Sequence, residues 1–207
     1  MGERGKSWEE IVTMRMMVLW LLLLVLSPAP VNGEVVRKLI KNSDGSGHEY
    51  VFYSKGKEIA RQKEAGNGTI IETIGKIPDG TVRQYYDNSS LFGEWNYKGG
   101  RLEGISKAYY KSGELRAQWS FRNNVPEGIT RWYYKSGRLE SEWSYKAGKA
   151  DGVVKGYYES GTLKAEYNFK DGKKEGIHLE YYENGKIKST ANYKDGTLQS
   201  LITVDEE

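Results

Sequence analysis

The chain has few of the residues that catalysis and metal binding usually require. It contains no cysteine and only two histidines, His48 and His178. The lack of cysteine excludes disulfide scaffolds, thiol catalysis and cysteine-ligated zinc. Two histidines leave almost nothing from which to build a Ser-His-Asp triad or a multi-histidine metal site. We therefore expect no catalytic residues, no metal site and no cofactor.

Acidic residues followed by glycine recur along the chain, and paired carboxylates can act as a general acid and a general base. The pairs are Asp79-Gly80, Glu103-Gly104, Glu127-Gly128, Asp151-Gly152 and Glu175-Gly176. A catalytic pair is a singular feature, so a carboxylate that returns in every unit is interpreted as structural. The Gly66-Asn67-Gly68-Thr69 stretch lacks the lysine and the strand-to-helix setting of a phosphate-binding loop. The sequence predicts a non-enzymatic protein.

The charge balance argues against nucleic acid as a partner. The 207 residues include 31 Lys and Arg against 28 Asp and Glu, for a net charge of +3. A nucleic-acid-binding domain concentrates basic residues on one face, whereas the charges here are mixed along the chain.

The first 33 residues have the order of a secretory signal peptide. An apolar run over residues 18–26 follows Arg15 and precedes a segment of small residues and proline that ends at Gly33. We expect cleavage near Gly33 and Glu34, and a secreted or periplasmic protein. The apolar run is short for a stable membrane span, which favours cleavage. An uncleaved N-terminal anchor is the alternative. The true start is either Met1 or Met14.

Tyrosine pairs mark an internal repeat of 24 residues. The pairs are Tyr85-Tyr86, Tyr109-Tyr110, Tyr133-Tyr134, Tyr157-Tyr158 and Tyr181-Tyr182. An aromatic column follows at Trp95, Trp119, Trp143 and Tyr167 and is lost at Ala191, and a second runs through Tyr97, Phe121, Tyr145, Phe169 and Tyr193. Such periodicity indicates a repeat architecture in which each unit is one supersecondary element.

Each unit reads as a β-hairpin. In the second unit, two short aromatic-rich runs flank Ser112-Gly113, which is typical of a two-residue turn. That turn would place Lys107 opposite Gln118 and Tyr109 opposite Arg116. In the same register three opposite charges face each other across the strands: Arg83 and Glu94, Arg131 and Glu142, and Lys155 and Glu166. The first unit has Asn88-Ser89 instead, for which we expect a looser turn.

These observations predict an all-β fold, an elongated single-layer antiparallel sheet of tandem 24-residue β-hairpin repeats. We divide the chain into a signal peptide at 1–33, an N-terminal cap with a divergent repeat at 34–80, five tandem hairpins at 81–199 and a C-terminal tail at 200–207. The segment from Leu198 to Val204 is suited to pair as a final strand. A one-layer sheet leaves its apolar face exposed, and a homodimer through that face is one way to cover it.

The repeat resembles a known family. The pattern Tyr-Tyr-x-Ser-Gly-x-Leu, followed by aromatic-Lys-x-Gly and then Glu-Gly, is similar to the short variant of the MORN repeat, which also builds a bacterial antitoxin-like family. The resemblance covers residues 81–199 well and 50–80 loosely. It implies a β-hairpin array that acts as a protein-interaction or lipid-contact module, in some cases as an immunity partner.

The candidate partner-binding residues are Tyr109, Tyr133, Tyr157, Arg116, Arg131 and Trp132. Tyrosine and arginine are favoured at protein interfaces, and the first tyrosine of each pair should lie on the charged face of the sheet. Trp132 should lie on the reverse face, and it is the one aromatic residue in its column, so the repeat does not require it. The alternative role of these side chains is to shield the sheet or to pack its core.

We expect an exported protein-interaction scaffold whose partner is an unknown protein. If the resemblance to the antitoxin-like family extends to its role, that partner is an effector protein that this chain neutralises. The alternative is a module that binds an envelope glycan, polymer or lipid, in which Trp95, Trp119 and Trp143 would stack on sugars. We favour a core role for these three indoles.

Overall fold

The computed structural model describes residues 33–41 and 47–204. The predicted signal peptide, apart from Gly33, lies outside the described residues. The N-terminal segment forms four strands: β1 (Val35–Lys41), β2 (Gly47–Ser54), β3 (Lys57–Ala65) and β4 (Ile70–Gly75).

Five hairpins follow, each built from a six-residue strand and an eight-residue strand. The pairs are β5 (Gly80–Tyr85) with β6 (Leu91–Lys98), β8 (Gly104–Tyr109) with β9 (Leu115–Arg122), β11 (Gly128–Tyr133) with β12 (Leu139–Lys146), β14 (Gly152–Tyr157) with β15 (Leu163–Lys170), and β17 (Gly176–Tyr181) with β18 (Ile187–Lys194). Two-residue strands connect the hairpins: β7 (Arg101–Leu102), β10 (Val125–Pro126), β13 (Lys149–Ala150) and β16 (Lys173–Lys174). The last described strand is β19 (Thr197–Thr203).

All described strands belong to one open sheet. Its long strands follow one another as β4-β3-β2-β1-β5-β6-β8-β9-β11-β12-β14-β15-β17-β18-β19. Neighbours are antiparallel except β1 and β5, which pair in parallel. The all-β prediction of tandem hairpin repeats is confirmed. β19 pairs with β18 through Thr203, so the final strand expected between Leu198 and Val204 is present.

The two ends of the hairpins use different turns. At the tyrosine end, the Gly113 N–H donates to the Tyr110 carbonyl and the Tyr110 N–H to the Glu114 carbonyl, both at 2.9 Å. This is a three-residue loop closed by a glycine with positive φ, so the predicted two-residue turn at Ser112-Gly113 is wrong. The first unit makes the same two bonds around Ser89, whose φ is 67°, and its turn is therefore not looser.

The three-residue loop has a consequence for the register. Tyr109 opposes Leu115, while Ala108 opposes Ala117, so Arg116 is the extra residue of a β-bulge. All five hairpins shift at this point. The predicted opposition of Tyr109 and Arg116 is wrong for this reason. Beyond the bulge the predicted register holds, with Lys107 opposite Gln118.

The second tyrosine of each pair ties its unit to the next one. The Tyr110 hydroxyl donates to the Tyr133 carbonyl at 2.8 Å, and the Tyr134 hydroxyl to the Tyr157 carbonyl at 2.6 Å. The same bond joins Tyr86 to Tyr109, Tyr158 to Tyr181 and Tyr182 to Val204. The constant 24-residue spacing of the tyrosine pairs thus reflects the same hydrogen bond, repeated between successive units.

The acidic residues act in the same way at the opposite end. The Glu127 carboxylate accepts the Ala147 N–H at 2.7 Å, and the Glu103 carboxylate accepts the Asn123 N–H at 2.9 Å. Asp79, Asp151 and Glu175 each accept the backbone N–H twenty residues further on. Because the turns they cap have positive φ at both central residues, these carboxylates fix the tight turns. Their recurrence is structural.

The apolar face of the sheet is buried within the chain. Trp95, Trp143 and Tyr167 are 4–7% exposed. The rings of Trp95 on β6 and Trp119 on β9 stack with their centroids 5.6 Å apart. Strand β8 lies between β6 and β9, so the backbones of the two strands are about 9.6 Å apart. The rings therefore lean along the sheet and cover one another. They form the core, and sugars have no access to the faces of the buried rings.

Trp132 belongs to this core. Its side chain is 8% exposed and meets the Trp119 ring edge to face at 5.4 Å. It lies on the face that the sequence predicts, but its role is packing: its partners on the two adjacent strands, Ala117 and Ser141, are small, and the indole packs in the core beside Trp119. The proposal of Trp132 as a partner-binding residue is corrected accordingly.

His178 also has a packing role. It directly opposes Ala191, whereas in the other units a small residue opposes a large ring, as Ser106 does Trp119. The imidazole lies 5.1 Å from the Tyr167 ring and 4.6 Å from the Tyr193 ring. The large and small members of the pair are exchanged in this unit, so His178 replaces the aromatic ring lost at Ala191.

The N-terminal strands close one end of the array around a buried cation. Arg37 is 3% exposed and lies between the rings of Trp95 and Tyr50, 3.8 and 4.3 Å from their centroids. Its guanidinium also donates to the Tyr97 hydroxyl at 3.0 Å. Glu64 is 6% exposed on β3. Burial raises the pKa of its carboxyl from 4.5 to about 7, against the lowering effect of Arg37.

Substitution of Tyr134 by phenylalanine removes the hydroxyl that joins the third unit to the fourth. We expect the free energy of unfolding to fall by about 1 kcal/mol, because the half-buried Tyr157 carbonyl loses its donor. Tyr133→Phe is the matched control, since no bond from its hydroxyl is present in the described part of the chain. Urea titrations should show equal stabilities for Tyr133→Phe and wild type; equal losses for the two variants would contradict the assignment.

Trp132→Ala should lower the free energy of unfolding by about 3 to 5 kcal/mol, since it leaves a cavity beside Trp119. The exposed Lys135→Ala, in the same unit, should change stability by less than about 0.5 kcal/mol. Chemical unfolding followed by circular dichroism measures both. A Trp132→Ala variant as stable as wild type would show that the indole is not part of the core.

The raised pKa of Glu64 predicts a pH dependence of stability. The folded chain binds the proton more tightly than the unfolded chain, so this contribution to stability is complete below pH 4.5 and is lost as the pH rises through about 7. Glu64→Gln keeps the neutral form at every pH. At pH 8 the variant should be more stable than wild type by about 1 to 3 kcal/mol, and at pH 4.5 the difference should be small. A difference independent of pH would contradict this account.

Candidate functional site

The face of the sheet opposite to the core carries three rows of side chains that repeat with the hairpins. We call this surface the outer face. Its members are the first tyrosines of the pairs (Tyr85, Tyr109, Tyr133, Tyr157 and Tyr181), the charged cross-strand pairs beside them (Arg83 with Glu94, Arg131 with Glu142, and Lys155 with Glu166), and aliphatic residues near the glycine that begins each hairpin (Ile105, Ile129, Val153 and Ile177). The strand pleat places all three rows on one side.

The tyrosine row is not uniform along the array. The Tyr85 hydroxyl donates to Glu34 at 2.6 Å, and the Tyr109 hydroxyl donates to Glu94 at 2.9 Å. In the described part of the chain, the hydroxyls of Tyr133, Tyr157 and Tyr181 make no hydrogen bond. The last three phenols therefore retain their donors for a partner, and the first two are engaged by carboxylates of this chain.

The carboxylate contacts also affect ionisation. Burial, followed by the hydrogen bond to Glu34, raises the pKa of Tyr85 to about 12. Burial and the hydrogen bond to Glu94 raise the pKa of Tyr109 to about 12. Both phenols are neutral donors at physiological pH and cannot serve as general bases there.

The charged row consists of the ion pairs that the sequence predicts. The Arg83 guanidinium lies 3.1 Å from Glu94, that of Arg131 lies 2.7 Å from Glu142, and Lys155 lies 3.4 Å from Glu166. The side chains in these pairs are 25–43% exposed, so each pair adds at most about 1 kcal/mol. The row offers a partner both charges without an excess of either.

The residues of the aliphatic row were not among the site residues predicted from the sequence. Ile105 is 46% exposed, Val153 42% and Ile177 48%, with Ile129 at 36%. Single exposed aliphatic side chains are ordinary on protein surfaces, but here one recurs in four successive units. The signal was present in the sequence, because the residue after each acidic-Gly pair is aliphatic in these units and alternates with core residues.

Arg116 does not lie in the tyrosine row. As the bulge residue of its hairpin it places its guanidinium 5.6 Å from the centre of the Tyr110 ring, on the tyrosine that joins the units. Lys164 takes the same position over Tyr158 at 5.2 Å. Arg116 therefore supports the joint between units, and its predicted placement beside Tyr109 is corrected. The structure brings together Tyr109, Tyr133, Tyr157 and Arg131 among the predicted residues.

The described residues contain no group of three or more His, Asp or Glu side chains placed to hold a metal ion. No helix among them is long and apolar enough to cross a membrane.

Comparison with known proteins agrees with the repeat geometry. The MORN repeat variant family matches the chain in five tandem segments: residues 78–98, 102–123, 126–147, 150–171 and 174–195. No curated protein matches the chain significantly. Each matched segment contains one tyrosine pair and the long strand that follows it. The five segments cover more than half of the 207 residues, and the chain belongs to the MORN repeat variant family.

Proposed function

We propose that this chain is an exported, non-enzymatic protein-interaction scaffold that binds a partner protein through the outer face of its repeats. The family generally supplies binding modules and not catalytic sites. Export rests on the N-terminal sequence, whose order of charged, apolar and small residues is that of a secretory signal.

The observation that carries the proposal is the combination of free phenols and exposed aliphatic side chains on neighbouring strands. Tyr133 and Tyr157 end β11 and β14, and Ile129 and Val153 lie near the start of the same strands. Tyrosine supplies a large contact area with a polar tip at low entropic cost, and interfaces bury such anchors among aliphatic neighbours. The third and fourth units are therefore the centre of the proposed interface.

The ion pairs define the kind of partner. Because Arg131 and Lys155 are paired with carboxylates, the charged row beside the tyrosines has no excess of either charge and does not select a highly charged ligand. A folded protein of mixed charge that buries aromatic and aliphatic groups fits this surface better than a polyanion does. An effector protein that is neutralised by this chain is a partner of this class.

The test is a cross-linked affinity capture with the full chain from the native envelope fraction, read by quantitative mass spectrometry. The face variant is Tyr133→Ser with Tyr157→Ser. The matched control is Lys146→Ala with Lys170→Ala, which alters exposed cations of the same two hairpins that form no ion pair in the described part of the chain. We expect one protein near one-to-one with wild type and control, and at least tenfold lower recovery with the face variant.

Equal recovery of that protein by all three chains would contradict the proposal. Both variants must first show the unfolding curve of the wild type, so that a loss of binding is not a loss of folding. We expect this result, because the bonds between units use the backbone carbonyls of Tyr133 and Tyr157, and the side-chain changes leave these carbonyls in place.

Contact with membrane lipid is the second candidate, and one observation favours it. The aliphatic row lies on the same face as an exposed cation in each unit: Lys98, Arg122, Lys146, Lys170 and Lys194. Binding to vesicles with anionic lipid that is lost in Lys146→Ala with Lys170→Ala, and kept in the tyrosine variant, would replace the protein partner with a lipid surface.

A further inference from the structure

The strand β19 lies at one end of the described sheet and has the composition of a pairing strand. Among the described strands it is bonded to β18 alone, and all seven of its residues are exposed. It contains no charge, no proline and no glycine. Natural sheets protect such edges with lysine, proline or bulges. β19 has one bulge, at Gln199, but its residues 200–203 pair with β18 in regular register. The opposite edge, β4, carries Glu72 in an ion pair with Lys63 at 2.8 Å.

The backbone of β19 presents hydrogen-bonding groups away from the sheet. The Val204 N–H donates to the Lys188 carbonyl at 2.8 Å. Bonding groups alternate along an antiparallel ladder, so Ile202, which opposes Thr190, also bonds towards β18. Leu201 and Thr203 therefore direct their N–H and carbonyl groups outwards.

The core beside this edge is incomplete. A cavity of about 410 Å³ lies on the core side of the last unit, lined by Tyr193, Ala191, Leu201, Thr203 and neighbouring residues. In earlier units the corresponding strand is covered by a further strand that brings an aromatic ring, as β9 brings Trp119 next to β8. At β19 no described strand takes that place.

We propose that a second copy of this chain occupies the edge, so that two β19 strands pair in antiparallel fashion about a two-fold axis at Ile202. The N–H and carbonyl groups of Leu201 in each copy then exchange two hydrogen bonds with those of Thr203 in the other copy. The two Ile202 side chains meet on the outer face. An isologous contact opposes a strand to itself, so a charged residue near the axis would face its own charge; β19 has none. Leu201 of the second copy extends the apolar lining towards the cavity.

This pairing is independent of the proposed partner protein, because it uses the end of the sheet and not the third and fourth units. Ile202 is 64% exposed in the single chain, and Ile71, on the opposite edge strand β4, is also 64% exposed. The two isoleucines therefore form a matched pair for substitution by lysine, with equal exposure and opposite positions in the sheet.

The test measures the mass of the full chain by light scattering over a range of concentrations. We expect a dimer for wild type and for Ile71→Lys. For Ile202→Lys, two lysines face each other at the axis, and the dissociation constant should rise at least tenfold. A mixture of Ile202→Lys and Ile202→Glu should restore the dimer as a heterodimer.

Hydrogen exchange adds a readout at the backbone. The amides of Leu201 and Thr203 should be protected in wild type and should exchange faster in Ile202→Lys, while β18 keeps its protection. A wild-type monomer at all concentrations, a dimer that persists in Ile202→Lys, or a dimer lost in Ile71→Lys would each overturn the proposal. Protection at the two amides only in the presence of another protein would replace the second copy with that protein.

Discussion

The array depends on the hydrogen bond between the second tyrosine of one unit and the backbone carbonyl of the first tyrosine of the next. A hairpin of this length is marginal by itself, and stability in repeat proteins comes from the contacts between neighbours. The phenol of Tyr110 meets the Tyr133 carbonyl in an array whose units are 24 residues apart and whose strands are joined by three-residue loops. At the opposite end, carboxylates such as Glu127 hold the next turn in the same way. The spacing of the whole array is fixed at both ends of each hairpin.

This arrangement divides the tyrosines by function. The second tyrosine uses its hydroxyl within the chain and is unavailable to a partner, whereas the first tyrosine offers only its carbonyl to the array. From the third unit onwards the hydroxyls of the first tyrosines are free within the described part of the chain. The outer face can therefore vary without disturbing the joints, because the side chains that join the units and those that face outwards are different residues of the same pair.

Much of this was predictable from the sequence, because a repeat shows each structural requirement several times. The hairpins, the core face and the three ion pairs follow from columns of like residues. The turn type does not follow, since Ser112-Gly113 suits a two-residue turn and the deciding Tyr110–Gly113 bond depends on backbone geometry. The bulge at Arg116 and its position over Tyr110 result from that turn. Single occurrences such as Trp132 and His178 carry no column signal, and their packing against Trp119 and opposite Ala191 becomes visible only in three dimensions.

We propose that the first tyrosines of the middle units face a partner and that the second tyrosines do not. Hydroxyl-radical footprinting of the full chain, alone and with its captured partner, measures this for each ring. The account predicts that oxidation of Tyr133 and Tyr157 falls on complex formation while that of Tyr134 and Tyr158 is unchanged. Protection of Tyr134 and Tyr158 with unchanged Tyr133 and Tyr157 would contradict it.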